Sequence, residues 1–313
     1  GVAAAKVLFT FDGGWRGQLE YAMPMLKAAG FAATTYVMKD AVLTDSSYEP
    51  DLLDLTDLLT LRDNGWAIGN HTVEHYDYGD RTDPESLARL RVEYEENQRW
   101  IISATGSAGA RHVAYPSGKY SQELIEILQQ IGTLTGRTTR EANQEIPITD
   151  YNDFYKLPCE PFSSDPRYND LQGVKNAVDA AITSGSTVII FMNQVLPDYV
   201  DGNVTVAQLQ AAIDYIKTYV DQGKVSVMTI SEWYDWQQAH YPLDPPVIVP
   251  VTPPAPPVTN DDEANTVSGL TTAMEYKLDE AADYVRYEEA IFAALDFSGE
   301  HTLLVRYAAE GIN

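Results

Sequence analysis

Between residues 5 and 240, short apolar runs alternate with helix-like stretches, and this alternation restricts the fold more than any other feature of the chain. Residues 6–11, 31–37, 66–69, 112–115, 187–192 and 225–230 are rich in Val, Ile, Phe and Tyr and read as buried strands. A strand covered on both faces shows a continuous apolar run of this kind. Residues 16–29, 51–64, 83–104, 121–131, 170–184 and 205–222 read as helices. Several open on start signals, such as Ser121 ahead of Leu124 and Ile127, or the pair Asp83-Pro84. Residues 132–137 and 154–157 are two weaker strand candidates. A repeated βα order makes a parallel sheet covered by helices, and about seven or eight repeats favour a barrel over an open doubly wound sheet. No Gly-rich phosphate loop or dinucleotide fingerprint interrupts the pattern.

The alternation stops near residue 242. Eight of the chain's 17 prolines fall between Pro242 and Pro257. Such a run neither continues a helix nor pairs as a central strand, and favours an extended spacer. The expected organisation is a barrel over 1–241, a Pro-rich linker over 242–262, and a small β-rich module over 263–313. Residues 274–279, 283–287 and 301–308 are its strand candidates. A core of that size without disulfide or metal is marginal, so the module either lacks a closing strand or leans on the barrel.

Lys and Arg number 21 against 46 Asp and Glu, a formal charge of −25. That surface repels phosphate backbones and anionic lipid heads, which leaves neutral or cationic ligands, glycans and amino sugars among them. No apolar run approaches a membrane span. The single cysteine, Cys159, rules out an internal disulfide and a Cys-based zinc cage. Residues 1–5 read as a mature start from which any export signal is gone. With the Pro- and Thr-rich spacer, the expected location is the exterior or surface of a bacterium.

Barrel chemistry gathers where strands end, and four strand ends carry unusual residues. Thr10-Phe11-Asp12-Gly13-Gly14-Trp15 puts a carboxylate before flexible backbone, suited to catalysis or equally to capping a helix. His71 and His75 stand four apart in His71-Thr72-Val73-Glu74-His75, a spacing that on a helical turn lets both imidazoles share a metal. His112, His240 and His301 have no such partner and read as structural. Arg111 to Gly118 ends a strand in Tyr115-Pro116-Ser117-Gly118, a turn able to aim backbone N–H groups at a cavity. Residues 189–195 end an apolar strand in Asn193-Gln194. Trp15, Tyr76, Tyr78 and Trp233 offer aromatic faces for sugar rings, though such residues more often simply pack.

Together, and in this order, the segments resemble the motifs of the polysaccharide deacetylases, the NodB-homology or family 4 carbohydrate esterases. Thr10-Phe11-Asp12-Gly13-Gly14 stands where that family has Thr-Phe-Asp-Asp-Gly. His71 to His75 matches its His-Ser/Thr-x-x-His segment, Arg111 to Gly118 its Arg-x-x-x-Tyr-Pro-x-Gly stretch, and Gly136-Arg137-Thr138 its Ala-Arg-Thr run. The resemblance implies a distorted (β/α) barrel of about seven strands and metal-assisted hydrolysis of an acetyl group, chiefly N-acetyl, on a glycan. It further implies Asp12 as base, His71 and His75 as ligands of a zinc-like divalent metal, Arg111 as the residue orienting the base, and Tyr115 as oxyanion donor. Trp15, Pro116 and Trp233 are expected to touch substrate.

Two positions depart from the family. Gly13 stands in place of the metal-binding Asp, and Asn193 in place of a late His that serves as acid. An amide gives up no proton at neutral pH. Losing a positioned acid costs about 10²–10⁴ in rate. The expectation is therefore a carbohydrate deacetylase, a hydrolase of carbon–nitrogen bonds, with weak activity and a metal weakly held or absent. The alternatives are a non-catalytic carbohydrate-binding relative and a surface scaffold.

Overall fold

The computed structural model describes residues 1–44, 51–248 and 255–308, so the middle of the Pro-rich run and the last five residues of the module lie outside the described residues. Seven parallel strands close into a barrel: β1 (Ala5–Asp12), β2 (Thr34–Val37), β3 (Ala67–Asn70), β4 (His112–Ala114), β5 (Thr135–Glu141), β6 (Leu157–Pro161) and β7 (Thr187–Met192), with β7 returning to pair with β1. Outside them run α1 (Met23–Ala28), α2 (Lys39–Leu43), α3 (Leu55–Asp63), α4 (Pro84–Thr105), α5 (Gln122–Gln130), α6 (Asp170–Ser184), α7 (Val206–Asp221) and α8 (Ile230–His240). A short pair, β8 (Val195–Leu196) with β9 (Val204–Thr205), follows β7. β10 (Val225–Val227) joins the sheet beside the start of β1.

The barrel is distorted in identifiable places. β1 shares one edge between two partners, Ala5 to Val7 with β10 and Thr10 to Asp12 with β2. β3 and β4 meet at a single register pair, Asn70 with Val113. The β5–β6 register shifts between Arg137 and Glu141.

All eight residues of β1 are buried, as a strand covered on both faces requires. Ala5, Val7, Phe9 and Phe11 pack outward with Leu26, Leu58, Val178 and Ile213 of the surrounding helices. Each buried phenylalanine contributes about 1.5–3 kcal/mol. Leu8 joins Tyr115, Ile189 and Trp233 in the second core, and Thr10 and Asp12 lie among polar partners contributed by β5. The two weak strand candidates lie only partly in strands: 132–137 meets β5 from Thr135, and 154–157 meets β6 only at Leu157, because residues 151–155 form a 3-10 turn. The expected strand 225–230 is shorter, because Thr229 and Glu232 form a reciprocal capping box that opens α8.

Beyond the Pro-rich run, β11 (Thr259–Asp261) and β12 (Thr266–Ser268) form a hairpin, so β structure begins four residues earlier than expected. β13 (Met274–Leu278) is flanked by β14 (Val285–Arg286) and β15 (Leu303–Tyr307), with α9 (Glu289–Phe292) between the last two. This module leans on the barrel. Val92 of α4 packs with Ala273, Met274 and Tyr307, and Arg99 Nη2 donates to Ala308 O at 2.9 Å. No helix among the described residues is long and apolar enough to cross a membrane.

Candidate functional site

Asp12 ends β1 and is 4% exposed. Its Oδ2 accepts from Arg137 Nη2 at 2.5 Å, and Arg137 Nη1 reaches Thr10 Oγ1 at 3.3 Å. Arg137 is fully buried in β5, its guanidinium 4.4 Å from the Phe191 ring and 5.2 Å from the Tyr36 ring. A charge this deep requires a counter-charge, which Asp12 supplies. The other carboxylate oxygen, Oδ1, is buried with no protein partner, and Asp12 lines an open cleft. Cys159 lies nearby, but burial pushes its thiol up to about 11, so it stays protonated and is no nucleophile at neutral pH.

His71 follows β3 and is buried, while His75 is exposed. The ring centroids lie 4.9 Å apart, edge to face. His71 Nδ1 donates to Ala114 O at 2.7 Å, a bond that assigns the tautomer and leaves Nε2 its lone pair. Burial lowers the His71 pKa, which favours that neutral form. The helical turn expected here does not form. Thr72 and His75 have φ of +68° and +60°, and the loop is held by Asn70, whose Oδ1 accepts from Thr72 N and from Asn97 Nδ2. A bent loop, rather than a helix face, brings the two imidazoles together.

The cleft encloses about 420 Å³ and gathers Asp12, Trp15, His71, His75 and Asn193. Gly13 lies there too, with φ +87°, and a Cβ on it would sit 2.7 Å from Trp15 Nε1. The space beside Gly13 is closed by an indole. Among the described residues no three His, Cys, Asp or Glu side chains gather as a metal requires. His71 and His75 are two donors, Asp12 is engaged by Arg137, and the Trp15 indole crowds any side chain on residue 13. A catalytic zinc centre takes three protein ligands. The residues present do not fit one.

Four expected site residues lie elsewhere. Arg111 is exposed and precedes β4, so it sits at the amino end of that strand, about 10 Å along the barrel from its carboxyl end. Arg137 holds Asp12 instead. Tyr115 N–H already donates to Arg137 O at 3.1 Å and its hydroxyl to Tyr155 O at 2.8 Å, leaving neither for an oxyanion. Pro116 is buried. Trp233 is fully buried and donates to Thr187 Oγ1 at 2.9 Å, at the first residue of β7, so it plugs the amino end of the barrel. Arg137 had a signal of its own: an arginine in the middle of a strand of small residues, next to a glycine. Gly136 has no room for a Cβ, which would meet Tyr115 Oη.

A sequence profile described as polysaccharide deacetylase matches residues 2–135, a span that contains Asp12, His71 and His75 and stops short of Arg137 and Asn193. A Bacillus subtilis protein described as a polysaccharide deacetylase, YxkH, is 22% identical over 133 residues, which is 42% of this chain and 44% of that protein. The match thus spans less than half the length of this curated relative. Among solved structures, a Mycobacterium smegmatis protein described as a polysaccharide deacetylase superposes with a TM-score of 0.55 at 12% identity, covering 80% of this chain and 96% of its own. That likeness is one of fold. A family 4 carbohydrate esterase from Streptomyces lividans, in complex with acetate, reaches 0.46 at 19% identity over 74% of this chain and 96% of its own.

Proposed function

We propose that the chain carries a polysaccharide deacetylase domain of the NodB type, whose cleft binds an acetylated glycan while most of the family's hydrolytic rate is lost. The glycan is one outside the cell or on its surface. The observation that carries this reading is Trp15 Nε1, 2.7 Å from where a Cβ on residue 13 would sit. The third ligand is not merely missing; a side chain suited to sugars crowds the residue that would carry it.

The remaining groups favour binding over turnover. Asp12 Oδ1 is an acceptor without a partner, held still because Arg137 grips Oδ2. His71 Nε2 is a second acceptor. The Asn193 amide can donate to or accept from a sugar hydroxyl but transfers no proton. Without a positioned acid the leaving amine departs about 10²–10⁴ times more slowly. The His71–His75 pair favours a second reading, a working hydrolase of carbon–nitrogen bonds with metal on two histidines.

Calorimetry with N-acetylated oligosaccharides, run beside metal analysis and acetate release, separates the two. The expected result is saturable binding, less than one zinc per chain, and acetate release at least about 10² slower than acid-assisted turnover. Stoichiometric zinc with brisk acetate release would establish the second reading, and no binding at all would remove both.

A further inference from the structure

A second cavity of about 280 Å³ adjoins the cleft, and the two share Asn193 and Gly202 as a common wall. Joined, they fall within the roughly 300–1,000 Å³ of ordinary ligand sites. The second cavity is lined by Glu141, Asp170, Phe191 and Tyr168, a residue 63% exposed. Asp12 and Asp201 line the first. Neither is lined by a lysine or arginine. The two nearby guanidinium groups are already paired: Arg137, 4.4 Å from the Phe191 ring, with Asp12, and Arg167, 5.6 Å from the Tyr168 ring, with Asp165 at 2.6 Å.

Among the described residues, Glu141, Asp170 and Asp201 have no basic partner within ion-pair distance. Asp170 accepts from Ser163 N at 3.0 Å, which fixes its carboxylate at the rim. Burial, with Glu141 and Asp170 adding to it, pushes the neighbouring Glu160 carboxyl up to about 7, as uncompensated negative charge should. No trio of these side chains is gathered for a metal. An organic cation is the complementary ligand. The buried, unpartnered Asp12 Oδ1 adds a fixed acceptor for a donor such as an acetamido N–H.

We infer that the joined groove takes an amino-glycan that is only partly N-acetylated, with an acetamido sugar over Asp12 and His71 and a protonated amino sugar between Glu141 and Asp170. This rests on the glycan-binding reading above and narrows it to a substrate class. Tyr168 supplies an exposed ring on which the amino sugar's apolar face stacks. An ammonium between carboxylates makes charge-assisted hydrogen bonds that a neutral acetamide lacks.

The test compares N-acetylglucosamine tetramers carrying one free amine with fully acetylated tetramers by calorimetry at low salt. The amine-bearing tetramer should bind about tenfold more tightly, and the ratio should shrink as salt is raised. Glu141→Gln combined with Asp170→Asn should bring the ratio near unity, with circular dichroism confirming the fold. Glu141→Gln alone, at an exposed position, should lower the ratio and covers the case in which the double variant does not fold. Equal binding of both tetramers by the unaltered protein, or an unchanged ratio in a folded variant, overturns the inference and leaves glycan binding standing. Failure to bind either tetramer overturns both.

Discussion

The two sides of the cleft were assembled differently. On the β1 and β3 side, Asp12, Gly13 and Trp15 are neighbours in sequence, as are His71 and His75, and each short motif reaches the cleft as a unit. On the β4 and β5 side, the residue that matters to Asp12 is Arg137, 125 positions away, and the motif-like residues Arg111, Tyr115 and Pro116 serve the strand and its core instead. Spacing along a chain transmits a site faithfully where one loop carries it. Where a contact crosses the barrel, only strand register decides which side chain arrives.

The sharpest way to break this comparison is to remove the cross-barrel contact. Arg137→Met should cost about 3–5 kcal/mol in urea unfolding, because Asp12 is left buried and unpaired, and adding Asp12→Asn should restore much of it. An unchanged unfolding midpoint for the single variant would show that the pair is not what holds these strand ends.

Next in size is a repair of the local side. Gly13→Asp alone should bind zinc no better, since the new side chain meets the Trp15 indole. Gly13→Asp with Trp15→Ala and Asn193→His should tighten zinc binding and raise acetate release by at least about 10², or roughly 2.7 kcal/mol of barrier. Equal zinc affinity in the single and triple variants would remove Trp15 from the explanation.

Tyr115→Phe should cost about 1–3 kcal/mol, by stranding Tyr155 O, and leave glycan affinity alone. A selective loss of binding would return Tyr115 to the site. Smallest of all, Arg111→Ala should change stability by less than about 0.5 kcal/mol, as exposed positions do. A large drop in that variant would contradict its place at the outer end of β4.

The parts that were legible share one cause. Apolar runs marked β1, β2, β3, β4 and β7, and barrel closure then brings their carboxyl ends together whatever the helices do. Asp12, His71 and His75 reach the cleft for that reason. Asn193, which follows β7, reaches it the same way. What stayed hidden depended on conformation or on distance in sequence. The left-handed backbone at Thr72 and His75 is imposed by Asn70 and Asn97, and nothing in the His-x-x-x-His spacing announces it. Arg111, by contrast, was readable: an arginine written before a three-residue strand lies at its amino end. The Thr229-x-x-Glu232 box likewise announced α8 and with it the burial of Trp233.

The contact between Gly13 and Trp15 also sets what it would take to build a metal site here. With the indole in place, a carboxylate introduced at residue 13 meets a side chain before it meets a metal. With the indole removed first, the cleft loses an aromatic wall and gains no ligand. Each single step toward a three-ligand site is therefore harmful or idle by itself, and only the pair is useful. A three-ligand centre is thus separated from this cleft by two coupled substitutions, neither of which helps alone.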